Sequence, residues 1–188
     1  MVNKKVVLFV GPSGAGKTFL VQHLMMRYPD YFHKAISTTS RAPRTHEREG
    51  VDYYFRGPLY FASESFLEQT VYSGNIYGLT CDEVLRKRKE KPLLCVVDIN
   101  GLKQIEKLIG KENVVSFFIF APIETLKARM EERGDSPEKI QERLKNLLNA
   151  HEIENAKFCD YKIHNDKDIN CVLEDIEKIL VDEKVLES

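Results

Sequence analysis

The sequence predicts an α/β fold in three layers, with a central parallel β-sheet covered by helices on both faces. Strand-length apolar runs at Val6–Val10, Leu93–Val97 and Val114–Phe120 alternate with segments of helical spacing. The first run leads into a glycine-rich segment, Gly11–Thr18, and residues 18–28 behind it contain no Gly or Pro. Strand, loop and helix therefore follow one another, and we expect right-handed crossovers between the parallel strands.

The glycine-rich segment matches the pattern G-x-x-x-x-G-K-[ST] at all four fixed positions. A turn of this kind points its backbone N–H groups at a polyanion, and the positive end of the next helix dipole faces the same point. Lys17 would place its ammonium against the β- and γ-phosphates, and the Thr18 hydroxyl would bind Mg²⁺. A chance glycine-rich turn is the alternative, but the matching strand and helix disfavour it. We therefore predict the P-loop NTPase fold, with ATP bound by Gly11, Pro12, Ser13, Gly14, Ala15, Gly16, Lys17 and Thr18.

Composition limits the remaining function classes. The 188 residues suit one compact domain, 1–188, with an inserted lobe, and the net charge of −1 gives no global field for nucleic acid or an anionic membrane. The four cysteines lack C-x-x-C spacing, which favours a cytoplasmic protein. The first strand begins within the first ten residues, so we expect no signal peptide, and no apolar run approaches membrane-spanning length. The five histidines lack ligand spacing, so we expect no zinc.

The segment after the first helix carries a dense polar cluster, Ser37–Arg44. Its two arginines, Arg41 and Arg44, lie three apart and could hold a phosphate by forked hydrogen bonds; a solvated polar loop is an equal alternative. Residues 51–80 have the pattern of short extended pieces separated by turns, with one turn at residues 73–75. They predict a small antiparallel lobe that carries Glu68 and Tyr77.

Beyond this lobe, Asp82 would cap a short basic helix running to Lys91. Asp98 follows the strand Leu93–Val97, and open α/β sheets place their ligands at such carboxyl ends. A helix, a third strand and a further helix then follow in order.

The two helices after the third strand carry arginines beside their apolar faces. Arg129 and Arg133 share a stripe of the first, Gly134 ends it, and Ser136-Pro137 starts the second, which carries Arg143. This hinge between arginine-bearing helices could be a mobile lid over the phosphates; two surface helices with solvated charges are the alternative. A short strand at residues 161–164 and an amphipathic helix close the chain.

Several of these clusters together resemble the guanylate kinase family across nearly the whole chain. The matching motifs are G-P-S-G-A-G-K-T at 11–18, S-T-T-S-R-A-P-R at 37–44, E-x-x-G-x-D-Y-x-F at 47–55, F-L-E at 66–68, S-G-N-I-Y-G at 73–78, D-I at 98–99 and L-K-A-R-M-E-E-R-G at 126–134. The resemblance implies a nucleoside monophosphate kinase that uses Mg²⁺ and ATP to phosphorylate GMP, acting as a monomer or homodimer. It also implies a core (1–33, 81–125 and 157–188), an acceptor-binding lobe (34–80) and a helical lid (126–156).

The resemblance further implies a role for each matched position. Glu68 would read the guanine N1–H and exocyclic amine, and Asn165 would lie near the adenine of ATP. The expected GMP-binding residues are Ser37, Arg41, Arg44, Tyr53, Glu68, Tyr77, Thr80 and Asp98. The expected catalytic residues are Lys17, Arg41, Arg129, Arg133 and Arg143.

Two positions depart from the family pattern. Leu79 stands where the family has a Ser or Thr that meets guanine O6, and Thr80 is the nearest substitute. Asn100 replaces the second acid of D-I-D, and the two residues that normally follow it are missing. These departures keep two alternatives open: a kinase of the same fold with another monophosphate acceptor, and a guanylate-kinase-like binding module.

Overall fold

The computed structural model describes residues 4–45, 47–72, 74–149 and 152–187. Within these ranges the chain forms nine strands and seven α-helices. The strands are β1 (Val6–Val10), β2 (His33–Lys34), β3 (Thr38–Thr39), β4 (Tyr54–Phe55), β5 (Phe66–Tyr72), β6 (Asn75–Thr80), β7 (Leu93–Val96), β8 (Val114–Phe120) and β9 (Tyr161–His164). The helices are α1 (Lys17–Arg27), α2 (Tyr60–Ser63), α3 (Cys81–Lys87), α4 (Ile99–Ile109), α5 (Ile123–Glu132), α6 (Pro137–Asn149) and α7 (Ile169–Asp182). Short 3-10 turns occupy Lys111–Asn113 and Glu152–Phe158.

The larger sheet has the strand order β2-β7-β1-β8-β9, and all its pairs are parallel. Every residue of β1 is buried, because helices cover both faces of a central parallel strand. Val7 and Phe9 face a core built with α1 and α7, whereas Val6 and Leu8 face a core built with α3 and α4. This arrangement confirms the predicted three-layer α/β class with a central parallel sheet.

The smaller sheet has the order β4-β3-β6-β5 and confirms that a second, small sheet is present. Its β3–β6 and β5–β6 pairs are antiparallel, as predicted, but β3 and β4 pair in parallel, with Thr38 opposite Tyr54. The strand β3 was not predicted, since a two-residue strand is too short to show alternation. The expected turn at residues 73–75 falls partly on Ser73, which lies outside the described residues.

The start of α3 differs from the prediction. Thr80, not Asp82, is the N-cap, because its hydroxyl oxygen accepts from the Glu83 backbone N–H at 3.3 Å. The helix ends at Lys87 rather than Lys91. None of the helices in the described ranges has the length and apolar character that a membrane crossing needs.

Candidate active site

The glycine-rich loop is held against the carboxyl end of β8 and the side of α5. Gly11 and Gly14 have φ angles of 138° and 81°, in the range that favours glycine. A Cβ on Gly14 would lie 2.7 Å from the Leu126 carbonyl oxygen, and one on Gly11 would overlap the Ile119 carbonyl oxygen even more closely. Both neighbours are backbone atoms, so these positions require glycine for close approach as well as for conformation.

The end of the loop is also the start of α1. Gly16 is the N-cap in the left-handed conformation, so the first N–H groups of α1 open toward the loop. Lys17 Nζ donates to the carbonyl oxygens of Gly11 at 2.5 Å and Pro12 at 2.8 Å, which places its ammonium inside the loop. The arrangement fits the binding of a polyphosphate.

Asn165, which follows β9, forms a hydrogen bond with the backbone of the glycine-rich loop. Its side chain is 4% exposed, and its Nδ2 donates to the Ala15 carbonyl oxygen at 2.8 Å. Its backbone N–H donates to Phe120 at the end of β8, also at 2.8 Å. The Asn165 amide therefore stabilises the loop; its expected place beside the adenine of ATP stays a prediction.

A cavity of about 560 Å³ opens beside the loop. Arg129 reaches it from α5, and its Nη2 donates to the Asn165 carbonyl oxygen at 2.8 Å. Arg129 Nη1 is buried and has no hydrogen-bond partner among the described residues. A buried, unpaired donor is costly, so this N–H is available to a ligand oxygen. The cavity is lined by Ser13, Gly14, Gly16, Lys17, Thr18, Phe19, Arg129, Glu132, Arg133, Asn165, Lys167 and Ile169.

The other two expected lid arginines meet at one carboxylate that was not predicted from the sequence to be part of the site. Arg133 Nη2 and Arg143 Nη1 both donate to Asp135 Oδ2, the latter at 2.5 Å. Burial opposes ionisation of Asp135, but the Arg133 and Arg143 charges outweigh it and lower its pKa. Arg133 lines the 560 Å³ cavity, whereas Arg143 does not. Asp135 thus ties α5 to α6 at the hinge.

A second cavity, of about 310 Å³, lies between the small sheet and the carboxyl ends of β1 and β7. We call it the acceptor cavity. It brings five of the expected GMP-binding residues together with the loop. It is lined by Gly11, Ser13, Lys17, Ser37, Tyr53, Glu68, Thr70, Tyr77, Gly78, Val96, Val97 and Asp98.

Arg41 sits behind two of the lining tyrosines. Its Nε donates to Tyr77 Oη at 3.2 Å, and its guanidinium lies 5.6 Å from the centre of the Tyr53 ring. Its Nη2 pairs with Glu47 Oε1 at 2.7 Å, and this bond is the main cause that raises the Arg41 pKa. Arg44 is exposed and does not line the cavity. Its backbone N–H donates to Glu47 Oε2 at 2.8 Å, and its carbonyl oxygen accepts from the Glu47 N–H at 3.0 Å.

Glu68 and Asp98 form an acidic pair in the lining of the acceptor cavity. Glu68 Oε2 accepts from the Asp98 backbone N–H at 3.4 Å, and Asp98 Oδ1 caps α4 by accepting from Asn100 and Gly101 at 2.8 and 2.9 Å. Burial raises the pKa of Glu68 to about 8, and the like charge of Asp98 adds to the shift. Glu68 can therefore hold or release a proton near neutral pH.

Thr80, an expected GMP-binding residue, and Asn100, which replaces the second acid of D-I-D, both lie outside the acceptor cavity. Thr80 is outside the acceptor cavity, because alternation along β6 turns it away from the face that carries Tyr77 and because it caps α3. Asn100 is exposed and also lies outside the cavity. Leu79 is 1% exposed and packs in the core beneath the cavity with Leu67 and Val97.

Thr70 lines the acceptor cavity and was not predicted from the sequence. It lies opposite Tyr77 in the β5–β6 ladder and two residues from Glu68, so the three share one face. The period of two along β5 was the signal that could have identified it.

Comparison with known proteins gives a consistent result. A family model described as guanylate kinase matches residues 3–183. The guanylate kinase of Porphyromonas gingivalis is 34% identical over 175 residues, which cover 89% of this chain and 92% of that protein. A crystal structure of guanylate kinase from Anaplasma phagocytophilum superposes with a TM-score of 0.70 and 27% identity, covering 100% of this chain and 89% of that one. Shikimate kinase from Acinetobacter baumannii, at 17% identity and a TM-score of 0.55, shares the fold.

Proposed function

Since the chain belongs to the guanylate kinase family, we propose that it transfers the γ-phosphoryl group of ATP to GMP and dGMP, giving ADP and the guanosine diphosphates. The observation that carries this proposal is that Lys17 lines both the 560 Å³ cavity and the acceptor cavity. Two phosphates that approach from opposite sides would therefore meet at one ammonium. Family membership itself makes the protein a nucleotide-binding kinase, as the sequence predicted.

The donor side would hold ATP through its phosphates. The loop N–H groups and the α1 dipole favour negative charge beside Gly16, and Lys17 would bind the β- and γ-phosphates. Arg129 Nη1 supplies a further donor at the same place. Phosphoryl transfer needs alignment and charge neutralisation more than covalent chemistry, and these groups supply both.

The residues at the loop also fit Mg²⁺. This ion keeps several waters and usually takes one or two protein oxygens together with phosphate oxygens. Thr18 lines the cavity beside the loop and offers such an oxygen, and the described residues contain no cluster of three acidic, His or Cys side chains that would cage a metal. When bound, Mg²⁺ would neutralise charge on the transferring phosphoryl group.

The acceptor side would hold GMP at both ends. Ser37, Tyr53 and Tyr77 offer hydroxyl groups to the 5′-phosphate, and Arg41 lies directly behind the tyrosines. A Glu68 carboxylate presents two acceptors, which match the N1–H and exocyclic amine of guanine but not adenine. The identity of the base would thus be read by Glu68, with the Thr70 hydroxyl on the same face of β5 as an additional group.

Closure would bring the lid arginines to the reacting phosphates. Arg133 and Arg143 now share Asp135, and a phosphate is a stronger partner because it carries more charge and more acceptor oxygens. We infer that they exchange Asp135 for the transferred group when α5 and α6 close, which would exclude water as a competing acceptor. This role divides the chain into a core (1–33, 81–125 and 157–188), an acceptor lobe (34–80) and a lid (126–156).

The test is coupled ADP release from Mg²⁺-ATP with GMP, dGMP, AMP, CMP and UMP offered separately, using wild type and Lys17→Ala. We expect turnover with the two guanosine acceptors and its loss in the variant. Turnover with another acceptor would support the alternative that the buried Leu79 has changed the base specificity. Tight ATP binding without turnover on any acceptor would favour the binding-module alternative.

A further inference from the structure

Gly101 lies in the first turn of α4, against the carboxylate of Glu68. A Cβ built on Gly101 would lie 2.9 Å from Glu68 Cδ and still closer to Oε2. No Cβ could share that space with the carboxylate as it stands. The Glu68 carboxylate therefore occupies the volume that the side chain of any other residue at 101 would fill.

Backbone conformation does not explain this glycine. Gly101 is not among the glycines with positive φ, and it lies within a regular helix. Glycine is a poor helix former, second only to proline, so its place in the first turn needs a reason outside the helix. The close approach of Glu68 is such a reason, because glycine alone lets another group come this near to a backbone.

The same contact limits where the carboxylate can lie. Glu68 Oε2 accepts from the Asp98 N–H at 3.4 Å, so one side of the carboxylate rests on the start of α4 while the other faces the acceptor cavity. A side chain at 101 would also lie 2.9 Å from Val97 Cβ, a buried atom just after β7, so α4 would have to shift slightly wherever Glu68 moves. Among the groups met, only the Glu68 carboxylate stands at the end of a flexible side chain, so it is the group that would move furthest.

We infer that Gly101 is a positioning residue for acceptor recognition. Because it has no side chain, the Glu68 carboxylate can pack against its backbone, and this contact fixes the carboxylate in the acceptor cavity. This inference rests on the proposed function, because it takes Glu68 to be the group that reads the guanine edge. Gly101 would act only through Glu68 and would not contact either nucleotide.

The test is the variant Gly101→Ala, with Gly57→Ala as a matched control. Gly57 lies in the same lobe region as Glu68, has no positive φ, and has nothing within 4 Å of an added Cβ. At about pH 8.5, Glu68 is largely ionised in both proteins. There, loss of the hydrogen bonds between the Glu68 carboxylate and guanine predicts a KM for GMP about ten- to a hundredfold higher in Gly101→Ala, with kcat at saturating GMP and the KM for ATP within about twofold of wild type. The control would behave as wild type.

A double-mutant cycle separates positioning from a general loss of stability. Glu68→Asp shortens the side chain by one methylene, and it should cost far more GMP affinity in the wild-type background than in the Gly101→Ala background. Equal costs in both backgrounds, or parallel losses of ATP and GMP affinity with a lowered Tm, would overturn the inference.

A readout without GMP distinguishes failure of this inference from failure of the proposed function. The ¹³C NMR titration of the Glu68 carboxyl should shift toward lower pH in Gly101→Ala, because displacement exposes the group to water. If wild type shows no GMP turnover, the proposed function fails. An unchanged Glu68 titration in Gly101→Ala would overturn the contact between Gly101 and Glu68 in either case.

Discussion

The affinity for GMP should rise steeply with pH, because Glu68 carries a proton at neutral pH and a protonated carboxyl cannot accept both guanine hydrogen bonds. Guanine offers two N–H donors at its reading edge, so it needs the Glu68 carboxylate with both oxygens as acceptors. With the pKa of Glu68 raised to about 8 by burial and by Asp98, the carboxylate is the minor form at neutral pH. Binding of GMP must therefore release a proton.

The size of the effect follows from that pKa. The apparent Kd for GMP should be about tenfold higher at about pH 7, and about a hundredfold higher at about pH 6, than the Kd for the fully ionised Glu68 carboxylate. Isothermal titration calorimetry from about pH 6.5 to about pH 8.5 measures this change. The range avoids most of the second ionisation of the GMP phosphate, which has a pKa near 6, and keeps the guanine N1–H in place. Calorimetry in buffers of different ionisation enthalpy would count the released proton directly.

Two variants locate the titrating group. Glu68→Gln should bind GMP weakly and with little dependence on pH, since the amide cannot titrate and offers one acceptor. Asp98→Asn should move the rise in affinity to lower pH, because it removes the like charge beside Glu68. A wild-type affinity that is flat, or that falls as pH rises, would refute the reasoning.

Five further results are expected. The pKa of Glu68 is about 8 in the folded state, against an ordinary pKa of 4.5, so the free energy of unfolding should fall as pH rises between these two values. Urea unfolding at several pH values measures this fall, which should be smaller in Glu68→Gln. Gly11→Ala should lower the Tm sharply, because its Cβ would overlap backbone, whereas Gly57→Ala should leave the Tm unchanged. Asn165→Ala should lose about 1 to 3 kcal/mol of stability and raise the KM for ATP, because the loop carbonyl at residue 15 loses its buried partner. Asp135→Asn should weaken the hinge ion pairs and lower the KM for ATP in steady-state assays. Thr70→Val should raise the KM for GMP by about fivefold, because it removes a hydroxyl from the acceptor cavity, whereas Thr70→Ser should keep the wild-type KM.

The main sheet could be predicted because its strands are long, apolar and buried on both faces. The run Val6–Val10 and the seven-residue run at β8 have no polar alternation and follow turn signals, which is typical of parallel strands. The loop between β1 and α1 was predicted for a different reason, since its glycines and Lys17 follow from the geometry of phosphate binding.

The small sheet was harder to predict. Its strands β3 and β4 have two residues each, and Thr38 pairs with Tyr54 across a long loop, so no local periodicity reports the parallel pair. Thr80 illustrates the same limit at a single residue. Its hydroxyl was expected near the base, but one step along β6 turns a side chain to the opposite face, where it caps α3.

Contacts between distant segments account for what the sequence could not show at the site. Asp135 pairs with Arg143 across the hinge, and Glu68 on β5 rests against Gly101 on α4. Neither pair has the separation of three or four residues that places two side chains next to each other on one helix. The residue types were visible in the sequence, but their partners depend on how α4, α5 and α6 pack.

Competition between acceptors would show whether guanine is the base that this kinase selects. Wild-type protein, Mg²⁺-ATP and an equimolar mixture of GMP, CMP and UMP are incubated together, and the nucleoside diphosphates are separated and identified by mass. The ratio of products equals the ratio of kcat/KM values, so it reports transition-state discrimination without separate assays. We expect GDP in large excess, and loss of that excess in Glu68→Gln. Formation of CDP or UDP at a comparable rate, or no GDP at all, would contradict the proposed recognition of guanine by Glu68.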